Sequence, residues 1–474
     1  MRTRYFLFPP LIMLALLVSA CVAPTPAAPA APPAEEAEVP AEKIELSMIC
    51  RCVAGGVNNN MVRWVLDYVK PTFERQMTLE GRDVTVELVQ FGGSDEALKE
   101  QYALDLPVGR GHDLMAFDGF WIPEFVEGGL LEPLDEIAGP EVNDWEGWNH
   151  ISPGLQELLG FKGKRFGIAM GTDVRMIFVR KDLFEQAGIE MPWQPTSWDE
   201  LLDTARKIKA ALPDVVPLQI NAGTSMGEAT TMQGYFMVLL GAGNHMYDFD
   251  AGKWIVKSPA ILDTLNFYKT VYVDDELGDA RTQLLPDGRQ RSFAMFRDGQ
   301  IAMLVEGDWF WRSVTAPGSE WEVANREETM DWAKMPAEAP GKGYRNQDFV
   351  TISGGTGVAM NPNTRHPKEA WELLSLMFSK DGLMAFQDIE PRIRVRDDVP
   401  VPGKPFLTET SGALMPYTTA RPMLPEYPKI SFEAQLMTER VVSGEMTPEE
   451  AMEAYAQAVA EIAGPENVIE IPIQ

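Results

Sequence analysis

From residue 43 onward, short apolar runs alternate with stretches of helical period, and that alternation leaves few architectures open. Residues 43–49, 84–89 and 114–117 read as strands, the first by its polar and apolar alternation. Between them Met61, Val65, Leu66, Val69 and Phe73 mark the apolar face of a helix over 61–76, and a second helix is expected over 94–106. Strands separated by helices join by right-handed crossovers and build a parallel sheet. A second block of the same kind begins near Phe166. It holds a strand at 175–179, a helix at 181–187 and a helix to Leu212 capped by Thr196 or Ser197, then a strand at 215–221 and a helix at 231–240. Ser258 followed by Pro259 reads as another helix start. The expected class is α/β, and 474 residues at roughly 100–200 per domain predict more than one compact unit.

The N-terminus carries a different message. Arg2 and Arg4, the apolar run 11–18 and small residues before Cys21 read as an export signal over residues 1–20. Pro9, Pro10 and the shortness of the run argue against a spanning helix. Residues 21–42 continue in Pro, Ala and Glu without apolar period, which makes them a semi-rigid tether. The junction Val18-Ser19-Ala20-Cys21 resembles the lipobox of bacterial lipoproteins. That resemblance implies acylation of Cys21 and a domain held at a membrane surface outside the cytoplasm, each buried methylene adding about 0.8 kcal/mol. A plain signal peptide with an incidental cysteine is the alternative.

Charge and cysteine usage exclude other classes. A formal charge of −29 opposes nucleic-acid binding, which needs a cationic footprint to displace counterions. Twelve tryptophans and 45% hydrophobic residues are too many for a disordered acidic chain. Cys50 and Cys52 share one face of the first strand. A bridge at that spacing is strained, so buried or weakly bridged thiols are favoured, with a disulfide left open and no Cys or His spacing that calls for a metal. No cofactor is expected.

Several segments together resemble the extracellular solute-binding proteins of bacterial ABC importers, family 1, the carbohydrate-type group. Residues 163–169, 177–189 and 195–201 carry the core of the likeness. Residues 128–135, 296–303 with Gly307-Asp308-Trp309, 366–374 and 444–451 follow in the family's order. The resemblance implies a two-lobed, periplasmic-binding-protein-like type II fold with parallel-rich sheets and an interlobe cleft. It implies three chain crossings, near 168–175, 302–308 and 350–357. The lobes would then comprise 43–169 with about 305–352, and about 174–302 with 357–474. It implies no enzymatic step and no cofactor. The expected partners are a small solute of the mono- or oligosaccharide class and the ABC permease, with the chain itself a monomer.

Within that frame the candidate ligand contacts are Asn59, Asp118, Trp121, Thr172, Asp173, Ser225, Glu306, Asp308, Trp309, Trp311, Gly354, Gly355 and Arg421. A tryptophan that covers about 100 Å² of a sugar's apolar face contributes roughly 2.5 kcal/mol, and carboxylates and amides orient the hydroxyls. Core packing, helix capping or solvation is the plainer role for each. Two other classes compete with this one. A polyamine or peptide would suit the acidity and aromatic content. Gly223-Thr224-Ser225-Met226-Gly227 matches a nucleophile-elbow spacing, but only His245 and His366 follow it and no oxyanion loop precedes it. A paired-carboxylate glycoside hydrolase is equally remote.

Overall fold

The computed structural model describes residues 43–401 and 405–473. The signal at 1–20, the tether at 21–42 and the lipidation candidate Cys21 lie outside these described residues. No helix among the described residues is long and apolar enough to cross a membrane.

Two sheets organise the folded chain. The first contains β1 (Lys43–Cys50), β2 (Asp83–Gln90), β3 (Leu114–Asp118), β4 (Gly167–Ala169) and β10 (Thr356–Met360) in the order β2-β1-β3-β10-β4. β1 pairs parallel with β2 from Lys43 opposite Asp83 to Cys50 opposite Gln90, and parallel with β3. β10 returns antiparallel, Thr356 opposite Asp118. The second sheet contains β5 (Arg175–Arg180), β6 (Val216–Gln219), β7 (Ile301–Gly307) and β8 (Met330–Ala333) in the order β8-β5-β7-β6. Only β6 and β7 run parallel there; β5 is antiparallel to both its neighbours. β9 (Phe349–Ser353) and β11 (Thr418–Ala420) form a small parallel pair beside it.

Helices cover the sheets for the reasons legible in sequence. α1 (Lys70–Leu79) and α2 (Asp95–Asp105) flank the first sheet, and Ser94 caps α2 by accepting from the Ala97 amide. α3 (Trp198–Ala211) is capped by Ser197 through the Glu200 amide. α4 (Gly288–Arg297) precedes β7. α5 (Pro367–Met377) and α6 (Lys380–Ile389) join the first sheet's core, where the Trp64 and Phe386 rings stack with centroids 4.6 Å apart. α7 (Tyr427–Val442) and α8 (Pro448–Ala463) close the chain, α8 under a complete capping box of Thr447 and Glu450 that satisfies two backbone donors at once.

Strand pairing redraws the expected boundaries. Residues 302–308 do not cross between lobes. Seven consecutive buried residues make β7 a central strand of the second sheet, hydrogen-bonded on both edges. The region 305–352 therefore belongs with the second sheet, and 357–389 belongs with the first through β10, α5 and α6. The chain passes between sheets at 170–174, again between β9 and β10, and once more after α6. Cys50 and Cys52 are joined in a disulfide, the alternative the sequence left open, where the chain bends at Arg51 as β1 ends.

Candidate functional site

The carboxyl ends of β1, β2 and β3 lie on one edge of the first sheet, and parallel strands place their loops there. The end of β7 and the start of β5 form the facing edge, Gly307 opposite Arg175. Between the edges is a cleft of about 980 Å³. A smaller cavity of about 230 Å³ adjoins it and shares Arg51, Asp95, Asp118, Trp121, Glu228 and Arg289 with it.

Trp309, Trp321, Trp121, Phe117 and Phe293 give the cleft its aromatic surface. Trp309 is half-buried, and its ring lies directly over Gly307, where a Cβ would overlap it. The Arg175 guanidinium sits over the same ring, 4.9 Å from its centroid. Trp121 is nearly all buried among Phe117, Phe120 and Tyr102, so it offers the cleft an edge. Trp311, the third candidate, does not reach the cleft. It stacks on Phe406 with centroids 4.3 Å apart and carries Arg326 on its other side, inside the second lobe's core.

Seven arginines line the cleft, namely Arg51, Arg175, Arg289, Arg291, Arg312, Arg392 and Arg421, and every one is paired, Arg291 with Asp287 at 2.8 Å. Arg51 meets Asp95 at 2.9 Å, and Arg175 meets Asp173. Arg289 holds Glu306 through two bonds of 3.0 and 2.9 Å. Arg312 joins Asp308 at 3.2 Å and also Glu390, which Arg392 shares at 2.8 Å. Arg421 joins Asp118 and, at 2.8 Å, Glu228. Burial pushes the Asp118 carboxyl up to about 7 in spite of Arg421 beside it. Burial and the facing Arg392 bring Arg312 down to about 10, and burial does the same to Arg392. For Arg421 burial opposes the charged form, but Asp118 and Glu228 more than offset it and hold its pKa above the ordinary arginine value.

Three hydrogen-bonded contacts join the lobes across this space, beside the Phe120 ring that meets Tyr427 with centroids 5.7 Å apart. Arg421 of the second lobe reaches Asp118 of the first, and Arg312 reaches Glu390 at the end of α6. The Glu228 amide donates to Glu96 in α2 at 3.4 Å. The lobes thus touch on both flanks of the cleft.

The structure brings Asp118, Trp121, Thr172, Asp173, Trp309, Gly355 and Arg421 together on the cleft wall. Ser225 lines the side cavity, where its hydroxyl donates to the Leu284 carbonyl at 3.3 Å. Glu306 and Asp308 stand behind the wall, fully buried and engaged by arginines. Asn59 turns inward to accept from the Gly55 amide at 2.8 Å, and its neighbour Asn58 takes the place at the cleft. Gly354 is tied into the crossings, its amide donating to Asp173 at 2.8 Å and its carbonyl accepting from Thr172 at 2.9 Å. Gly355 has no room for a side chain, because a Cβ would come 2.7 Å from the Gly171 carbonyl.

Sequence reading missed Arg175, Arg289, Arg312, Arg392 and Glu228. Each looks like a solvated charge in sequence, although Arg175, Arg312 and Arg392 have carboxylate partners close by in the chain at Asp173, Asp308 and Glu390. The alternating run Arg392-Ile393-Arg394-Val395-Arg396 in an acidic chain was the one available signal. For metal, His150 with Asp397 and Asp398 is the one cluster among the described residues that gathers ligand atoms closely. It lies away from the cleft, and Arg396 already occupies Asp398 at 2.9 Å. His245 is buried, bonded to the Ala420 carbonyl at 3.1 Å, and is not a partner of Ser225.

A family model described as bacterial extracellular solute-binding protein matches residues 68–384. A binding protein of Brucella abortus (strain 2308) is 26% identical over 295 residues, which are 62% of this chain and 65% of that protein's own length. The mannitol-binding protein of Pseudomonas aeruginosa is 22% identical over 436 residues, covering 85% of this chain and 90% of that one. Among solved structures, an ABC transporter solute-binding protein from Thermotoga lettingae bound with alpha-D-tagatose superposes with a TM-score of 0.73. It shares 26% identity, over 89% of this chain and all of that one.

Proposed function

The chain belongs to the bacterial extracellular solute-binding protein family, and we propose that it is the receptor of an ABC importer, capturing a neutral sugar or polyol and passing it on unaltered. One observation carries this reading. Every arginine of the cleft lining is paired with a carboxylate, and Glu320 is the one lining carboxylate without a salt bridge among the described residues, so the site presents ready-made hydrogen-bond donors and acceptors beside a half-exposed indole with little unopposed charge. Hydroxyl groups want alternating donors and acceptors, and a sugar's apolar face wants an aromatic ring.

Seven guanidinium groups at the wall speak against a polyamine. The mannitol and tagatose bound by relatives are neutral and polyhydroxylated, which supports the same class here. A solute that contacts both lobes favours the closed arrangement in proportion to its extra contacts there, which is the transport signal. We assign the contacts to Trp309, Asp118, Asp173, Thr172, Asn58 and Arg421. We further propose that Cys21 is lipidated, that residues 21–42 tether a monomeric receptor outside the cytoplasm, and that an ABC permease receives the solute.

A thermal-shift screen tests the ligand class. Sugars or alditols at a hundredfold excess over Kd add about 2.7 kcal/mol to stability, while spermidine and dipeptides add nothing. Stabilisation by spermidine that fades with salt would replace the sugar reading with a cation site.

A further inference from the structure

Glu306 looked like a solute contact in sequence, yet it is fully buried and makes its bonds within the second lobe. Its Oε1 accepts from Arg289 Nε at 3.0 Å and Asn221 Nδ2 at 3.2 Å. Its Oε2 accepts from Arg289 Nη2 at 2.9 Å and the Gly307 amide at 3.4 Å. With both oxygens occupied and a rigid strand end beneath, the carboxylate fixes the plane of the guanidinium it grips.

Arg289 is placed where that orientation matters. It opens the first turn of α4 and lines both the cleft and the adjoining cavity. About a quarter of its side chain, 24%, remains accessible, and its Nη1 has no hydrogen-bond partner among the described residues. A guanidinium only donates, so the free edge of this fork can serve nothing but acceptor oxygens. Lysine would supply a single mobile charge in place of this fixed pair of directions.

We propose that Arg289 is a specificity-determining donor to the hydroxyl oxygens of the solute at the junction of the two cavities, and that Glu306 is the positioning residue that aims it. The inference rests on the carbohydrate reading above. It assigns Glu306 no contact with the solute, and it makes the affinity of the site depend on a carboxylate that the solute never touches.

Calorimetric titration of the full chain with D-mannitol, ribitol, D-tagatose, D-glucose, maltose and maltotriose identifies the tightest of the six, which then serves as probe for Arg289→Gln, Glu306→Gln and the double variant. Each single substitution is expected to weaken binding more than tenfold, and the double variant no more than the worse single, within twofold. Losses that multiply would show that Glu306 acts independently of Arg289 and overturn the assignment. Affinity within twofold of the unaltered chain for the double variant would overturn it as well. A single variant that leaves one buried charge unpaired can fail to fold. The double variant removes both charges together, and its melting temperature confirms that the comparison is made on folded protein. Failure of the unaltered chain to bind any of the six overturns the carbohydrate reading itself, a result distinct from the other two.

Discussion

Arg421 of the second lobe donates to Asp118 at the end of β3 in the first, so this ion pair spans the cleft beside the candidate site, as Arg312 and Glu390 do on its other flank. The same guanidinium donates to Glu228, whose carboxylate also accepts from the Tyr427 and Ser431 hydroxyls, each at 2.6 Å. The Glu228 carboxylate is thus held by side chains of the second lobe alone, and Asp118 is the first lobe's half of the pair.

Stability should respond to pH through Asp118. Its folded pKa stands at about 7 against an ordinary 3.8, so the native chain holds a proton that the unfolded chain releases between about pH 4 and 7. The stabilisation is complete below the lower value and fades as pH rises through the higher one. Urea titrations should show Asp118→Asn lacking this loss, with a difference in slope of at most about 1.4 kcal/mol per pH unit. Parallel slopes for the two proteins would remove Asp118 from the account.

Arg421→Met should destabilise the fold, because it leaves Asp118 and Glu228 partly buried without their shared cation. Breaking one side of such a buried pair costs on the order of 3 kcal/mol. Denaturant midpoints measure this, and a change under 1 kcal/mol would mean that water replaces the guanidinium freely.

Trp309 and Trp311 should part company. Trp309→Ala is expected to cut sugar affinity more than tenfold with a small change in melting temperature, since its ring is half-buried at the cleft. Trp311→Ala removes a core ring stacked on Phe406 and should cost about 3–5 kcal/mol of stability. Fluorescence titration and thermal melting on the two variants separate the roles.

Gly307→Ala should mimic the loss of Trp309 without removing it. The indole occupies the space that a Cβ at this position requires, so the ring must shift away. Affinity should fall while the tryptophan count stays the same, and an altered emission maximum would report the displaced ring.

Most strands and helices were legible because each depends on local periodicity and caps, as at Ser94, Ser197 and Thr447. Lobe membership was not. Residues 301–307 carry an apolar run whose sheet is decided by pairing with β5 and β6, more than 80 residues away in sequence. The site divided the same way. Asp118 and Trp309 could be placed by the strand ends that precede them, whereas Glu306 and Asp308 occupy equally plausible positions but are consumed by Arg289 and Arg312. Alternation along a strand does not say which of its end residues points behind the wall. The arginines that complete the site come from α4, from the turn after β7 and from segments beyond α6, and their convergence exists only in the folded chain.

Equilibrium dialysis of the purified chain against the sugar and polyol panel, with mass-spectrometric recovery of the bound molecule, decides whether the cleft holds a neutral carbohydrate. The account predicts occupancy approaching one neutral carbohydrate per chain, recovered chemically unchanged and largely lost in Trp309→Ala. Occupancy by a polyamine or peptide alone, recovery of an altered product, or undiminished occupancy in Trp309→Ala would contradict it.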